Sequence, residues 1–177
     1  MRAQDGDLEA LDALVRHFQP RLLAYLRTIA DDAVAGDLLQ ETLLSAVRTI
    51  RRLRRPDTIT AWLFAIARNR AADHYRRRRR DRGWLRLDDV SEPADESETQ
   101  PIPDLDHLHA AIDELPPPLA EVIRLHHLEG LAIVEVAEIA GLKAGTVKSR
   151  LHAARMRLAE AIARRQSREP PSSMETP

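Results

Sequence analysis

The chain has 177 residues, 44% of them apolar and only 3% aromatic, and its 27 Lys and Arg nearly balance its 28 Asp and Glu. That length allows one domain or two small ones, and so few aromatics argue against a sheet-rich fold. Without cysteine there is no disulfide framework, thiolate zinc site or cysteine nucleophile, no apolar run approaches the roughly 18 residues that span a bilayer, and residues 1–12 lack a signal-peptide core. The expectation is a soluble, intracellular (cytoplasmic) all-α protein.

The near-neutral total hides a strong pattern. Residues 1–87 carry a net charge of +7, residues 88–114 a net of −10 with no Lys or Arg, and residues 115–177 a net of +2. Two basic parts around an acidic segment point to a polyanionic partner. The stretch SEPADESETQPIP (Ser91–Pro103) has almost nothing to bury and reads as a flexible acidic linker. The predicted organisation is a helical domain over 1–86, a linker over 87–103, a second helical domain over 104–165 and a disordered tail over 166–177.

Leu8, Leu11, Leu14, Val15 and Phe18 recur at helical spacing. Pro20 suits the first turn of a new helical segment, with Leu22, Leu23, Leu26 and Ile29 inward. After the break at Asp31-Asp32, a helix is predicted over 33–50, with Leu38, Leu39, Thr42, Leu43, Ala46, Val47 and Ile50 inward and Asp37, Gln40 and Glu41 outward. RRLRRPDTIT (Arg51–Thr60) is a basic loop broken at Pro56, and Thr58 or Thr60 can cap the helix expected over 61–80.

On that helix Trp62, Ile66, Asn69 and Asp73 form one stripe that begins apolar and ends polar. Five arginines, Arg76 to Arg80, follow it. Cations at a helix end complement its dipole, but a few tenths of a kcal/mol per charge does not require five adjacent ones. With Arg51, Arg52, Arg54 and Arg55 before the helix and Arg76–Arg80 at its end, the arrangement suits a phosphate backbone, with Trp62, Asn69 and Asp73 near bases. Trp62 reads equally well as a core residue.

Further on, a short helix over 105–115 ends at Pro116, a second runs over 119–128, and Gly130 breaks it. A compact helix over 133–140, Gly141 as a left-handed cap and a long basic helix over 146–165 make a helix-turn-helix pattern. On the long helix Val147, Leu151, Ala154, Leu158 and Ile162 form the buried stripe. Ser149, His152, Ala153 and Met156 lie opposite, with Lys148 and Arg155 along one edge and Arg150 and Arg157 along the other. Cations at the edges and polar groups at the centre are what a helix in the major groove needs.

Three blocks, DLLQETLLSAVRTI (Asp37–Ile50), AWLFAIARNRAADHYRRRR (Ala61–Arg79) and GLAIVEVAEIAGLKAGTVKSRLHAARMRL (Gly130–Leu158), closely resemble the extracytoplasmic-function group of bacterial RNA polymerase sigma factors, in the sigma-70 family. Their order matches a region 2 bundle followed by a region 4 helix-turn-helix, and the resemblance covers nearly all of residues 5–165. It implies core RNA polymerase, promoter DNA and an anti-sigma factor as partners, no cofactor or metal, and no enzymatic activity. It places Asp37, Gln40 and Glu41 on the clamp of the largest polymerase subunit. Arg54, Arg55, Trp62, Asn69, Asp73, Arg76 and Arg77 fall on the −10 element, and Lys148, Ser149, Arg150, His152 and Arg155 on the −35 element. The chain departs from the family pattern at Leu53 and Ile59, where relatives often carry aromatics, at Ala132 in place of a serine cap, and at Ala153 in place of arginine. It also starts at what corresponds to the middle of the usual first helix. A duplex-binding regulator acting alone would leave the Asp37–Glu41 face and the Trp62 stripe without a use. A sigma-like decoy for an anti-sigma factor shares every motif and differs only in whether it supports transcription.

Overall fold

Asp7 starts the first long helix: its carboxylate accepts hydrogen bonds from the backbone N–H of Glu9, at 3.0 Å, and Ala10, at 3.2 Å. The computed structural model describes residues 2–82 and 105–166. Among these, α1 spans Leu8–Ile29, α2 Asp32–Thr49, α3 Ile59–Arg82, α4 Leu105–Asp113, α5 Pro117–Ile123, α6 Ile133–Ala140 and α7 Ala144–Gln166, with no strand. Short helical turns at Arg2–Asp5, Ile50–Arg52 and Pro56–Thr58 and a wide turn at Arg124–Leu128 complete the set. The expected linker over 87–103 and the tail beyond Gln166 lie outside the described residues.

The N-terminal half is a three-helix packing of α1, α2 and α3. Phe18, Leu22, Tyr25 and Leu26 of α1 meet Leu38, Leu39 and Ala46 of α2 and Leu63, Phe64, Ala67 and Ala71 of α3. Tyr25 and Phe64 stack edge to face, 5.2 Å between centroids. Polar pins fix the ends. Arg27 bonds Asp32 at 2.7 Å, the Tyr75 hydroxyl accepts from the Asp31 N–H at 3.2 Å, and Gln4 donates to the carbonyls of Ile50 and Leu53. Thr42, fully buried, donates its hydroxyl to the Leu38 carbonyl at 2.7 Å, so it costs little inside the core.

Three sequence expectations are corrected. α1 runs unbroken through Pro20 rather than restarting there. A mid-helix proline costs about 3 kcal/mol, and burying each of Phe18, Leu22 and Leu26 returns about 1.5–3 kcal/mol, so the continuous stripe prevails. Val47 is 44% exposed, not inward; it falls on the face of α2 that carries Asp37, Gln40 and Glu41. Thr58 does not look forward into α3: its hydroxyl donates back to the Arg55 carbonyl, closing the turn before it.

In the C-terminal half α4, α5, α6 and α7 pack around Ile112, Val122, Ile123, Leu125, Val136, Val147, Leu151 and Leu158. Gly141 closes α6 at φ 69°, ψ 35°, the left-handed geometry that turns the chain into α7. At the start of α6, Ala132 has no side-chain acceptor, and Glu135 supplies the other half of a capping box by accepting the Ala132 N–H at 2.8 Å. Val147, Leu151, Ala154 and Leu158 are buried as the helical pattern predicts; the side chain of Ile162 lies outside the described set.

The halves are not separate. α1 packs on α5 and α3 on α6, and the buried apolar residues of both form one cluster.

Candidate nucleic-acid interface

The residues singled out in the sequence fall on three surfaces. On α2, Asp37, Gln40 and Glu41 are exposed on the side opposite Leu38, Leu39 and Thr42. The same face continues through Leu44, 56% exposed, Val47 and Arg48. Leu44 and Val47 are functional candidates that inward-facing logic missed. The signal was present as the spacing 37, 40/41, 44, 47/48, which is one helical face.

The second surface is α3 with the turn before it. Arg51, Arg52, Arg54 and Arg55 are exposed, as are Asn69, Arg76 and Arg77. Trp62 and Ile66 are half-buried and packed against the core. Arg55 and Asp57 pair at 2.7 Å, which holds the Asp57 carboxyl below the usual carboxylate range. Asp73 accepts from Arg76, and that bond holds its carboxyl low as well. Asp73 is thus an anion already occupied with orienting a cation, while Asn69, one turn earlier, keeps its face open.

The third surface is α7. Lys148 and Arg155 are exposed; Ser149, Arg150 and His152 are half-buried. The Ser149 hydroxyl donates to the Thr146 carbonyl at 3.1 Å, so it can still accept from a base edge. Met156, 55% exposed, extends the central line of the face. His127, on the wide turn, is held below the ordinary imidazole range by burial, with His126 and then Arg155 adding to the effect. Arg157 lines a cleft with Glu114, Leu115 and Glu160 between α4 and α7, so it sits on the α4 side of the helix.

α6, the first helix of the turn motif, packs on α3, and Glu135 of α6 lies near enough to Arg55 to favour its charge. The α2 face stands apart from this contact. Among the described residues there is no cluster of His, Asp or Glu with metal-site geometry, and no helix is long and apolar enough to cross a membrane.

Comparison with known proteins gives two family matches: sigma-70 region 2 over residues 14–81 and sigma-70 region 4 over residues 105–158. The RNA polymerase sigma factor CarQ of Myxococcus xanthus is 31% identical over 163 residues, covering 91% of this chain and 94% of CarQ. The sigma factor RpoE of Bartonella quintana, solved with the anti-sigma factor NepR, superposes with a TM-score of 0.62 at 27% identity, covering 88% of this chain and 98% of RpoE. CnrH, solved with the cytosolic domain of CnrY, gives a TM-score of 0.56 at 25% identity over 92% of this chain and 94% of CnrH.

Proposed function

The chain belongs to the extracytoplasmic-function group of the bacterial RNA polymerase sigma factors, in the sigma-70 family; from that premise we propose how its three surfaces divide the work of promoter-directed initiation. The exposed face of α2 docks on core RNA polymerase through Asp37, Gln40 and Glu41, with Leu44 and Val47 as the apolar centre that such an interface needs. The turn at Arg54 and Arg55 and the α3 residues Asn69, Asp73, Arg76 and Arg77 hold single-stranded −10 DNA, the arginines on phosphates and Asn69 on a base. Trp62 backs that surface from its half-buried position. Residues 104–165 form the unit that reads the −35 duplex, with Lys148, Arg150 and Arg155 on phosphate walls and Ser149 and His152 on base edges. Residues 1–86 form the unit for polymerase and −10 binding, and the protein acts in the cytoplasm, where polymerase is. As RpoE is solved with the anti-sigma factor NepR, so this protein is held by an anti-sigma factor.

One observation carries this reading. An exposed face on α2, acidic at Asp37 and Glu41 and apolar at Leu44 and Val47, that the domain's own packing does not use stands in the same chain as a basic helix-turn-helix. A duplex-binding repressor has no need of the first, and a decoy gives no transcripts. The test is reconstitution with core RNA polymerase on a fragmented genomic library, followed by sequencing of transcript 5′ ends. Starts that share −35 and −10 elements and depend on the protein are expected; dependence on the protein for none of them overturns the reading.

A further inference from the structure

The turn that carries Arg51 to Arg55 is held from outside itself. Residues 51–55 read RRLRR, with the arginines exposed and Leu53 half-buried. Like charges this close repel, and a segment with so little to bury has no packing of its own to fix its shape. Across the turn the Leu53 N–H donates to the Ile50 carbonyl at 3.0 Å. Further support comes from Gln4, 46 and 49 positions earlier in the chain. Its side-chain amide donates from Nε2 to the Ile50 carbonyl at 3.2 Å and to the Leu53 carbonyl at 2.5 Å. One planar group thus ties the two carbonyls that bracket Arg51 and Arg52.

Gln4 is fixed in its turn. The Arg2–Asp5 turn packs on the Ile50–Arg52 turn, with Ala3 and Ile50 buried. The Asp7 N–H donates to the Arg2 carbonyl at 3.2 Å. The Asp7 carboxylate pairs with Arg2 at 2.6 Å through the oxygen that does not cap α1. Gly6 joins the turn to α1 at φ 88°, a conformation glycine adopts without a steric penalty. A Cβ there would lie 3.1 Å from Nη2 of Arg51, so that guanidinium rests on bare backbone. A chain of fixed contacts therefore runs from the start of α1, through Asp7 and Gln4, to the main chain of the arginine turn.

This support grips carbonyls and leaves cations. Arg52 and Arg54 stay exposed, and Arg55 pairs with Asp57 at the surface. A side chain that only filled space would need no amide aimed at two carbonyls. Holding the backbone while the guanidinium groups face solvent suits the binding of a phosphate chain, because the ordering is done before the ligand arrives.

Resting on the sigma-factor reading, we propose that Gln4 is a positioning residue for −10 DNA: it sets the Ile50–Leu53 main chain so that Arg52, Arg54 and Arg55 meet the phosphates already ordered. Gln4 itself touches no DNA. Its effect passes through the turn, so its loss matters only while the arginines are there.

Gln4→Met keeps the length of the side chain and removes both donors. In the isolated full-length protein, backbone NMR order parameters at residues 51–55 should fall from about 0.85 to below about 0.6, with those of α1, α2 and α3 unchanged. A turn as ordered as in the wild type overturns the proposal. In the holoenzyme, affinity for a promoter fork with a single-stranded −10 element, taken from the mapped starts, should fall about fivefold, the effect of one or two side chains that must be ordered on binding. Assembly on core polymerase should be unchanged. Affinity equal to that of the wild type overturns the proposal as well. In a protein carrying Arg52→Ala, Arg54→Ala and Arg55→Ala, Gln4→Met should add nothing, because the groups it positions are gone. A purely structural loss would lower affinity equally in both backgrounds, and that result also overturns the proposal. Should circular dichroism show lost helix in Gln4→Met, Gln4→Glu, isosteric and without donors at neutral pH, takes its place in each measurement. The order parameters need no polymerase, so they judge the brace even where wild-type protein starts no transcript, the outcome that would overturn the sigma-factor reading instead.

Discussion

Asn69 and Trp62 stand on one stripe of α3, two turns apart, in different surroundings. Trp62 packs on the core, whereas Asn69 is exposed and its loss leaves no buried group unpaired. Asn69→Ala should therefore move unfolding free energy by less than about 0.5 kcal/mol, while removing a base contact worth about 1–3 kcal/mol. Open-complex formation should slow about tenfold or more on a closed promoter and much less on a pre-melted one; equal slowing on both templates would count against a melting role. Periodicity gave the stripe but left Trp62 undecided, since spacing fixes an angle about the helix axis and not which neighbour arrives there. His127 offers a second test. Burial first, then His126 and Arg155, depress its pKa below the ordinary 6.5, so the unfolded chain takes up this proton at higher pH than the folded one. The stabilising contribution is present above about pH 6.5 and is lost as pH falls from there toward the depressed value. His127→Gln should flatten the dependence of Tm on pH between about 7.5 and 5.5; an unchanged slope would assign it to other groups.

Whole helices were more legible than their boundaries. α6, the turn at Gly141 and the buried stripe of α7 follow directly from spacing and a glycine at positive φ. Sequence alone breaks α1 at Pro20, because a local rule for proline outweighs a stripe whose value depends on α2 and α3, which no single segment displays. The same limit put Val47 inward. Its exposure joins it to the face of Asp37, Gln40 and Glu41 and sharpens a prediction for α2 as an element. Asp37→Lys with Glu41→Lys should cut holoenzyme assembly, measured by co-elution with core polymerase, by an order of magnitude, with Tm nearly unchanged because neither side chain packs on the core. Leu44→Asp should do the same alone, and full assembly by both variants would remove α2 from the interface. On α7, loss of an edge cation such as Lys148 should weaken DNA binding uniformly across sequences and lower the salt slope by about one unit. His152→Ala or Ala153→Arg should change which −35 sequence is preferred. A promoter library read by transcription separates the two, and an edge variant that shifts preference while both centre variants do not would reverse the assignment.

At the scale of the molecule the sequence divides cleanly and the structure does not. Composition and charge mark two basic parts with an acidic segment between, yet Tyr25 meets Glu121 across 96 positions of sequence, a pairing invisible to any pattern read along the chain. Each half is small. A unit of roughly 60–80 residues buries little more than half of its unfolded surface and is marginally stable alone. An interface of even a few kcal/mol then ties the stability of one half to the other. Removing only the Tyr25 hydroxyl, in Tyr25→Phe, should cost about 1 kcal/mol, since Glu121 retains Arg68. Calorimetry of the wild-type chain should show a single transition whose calorimetric and van't Hoff enthalpies agree. Glu121→Lys, by parting the halves, should resolve it into two at lower temperature. Two resolved transitions in the wild type would mean that the shared cluster does not couple the halves, and that the seam contributes contact without cooperativity.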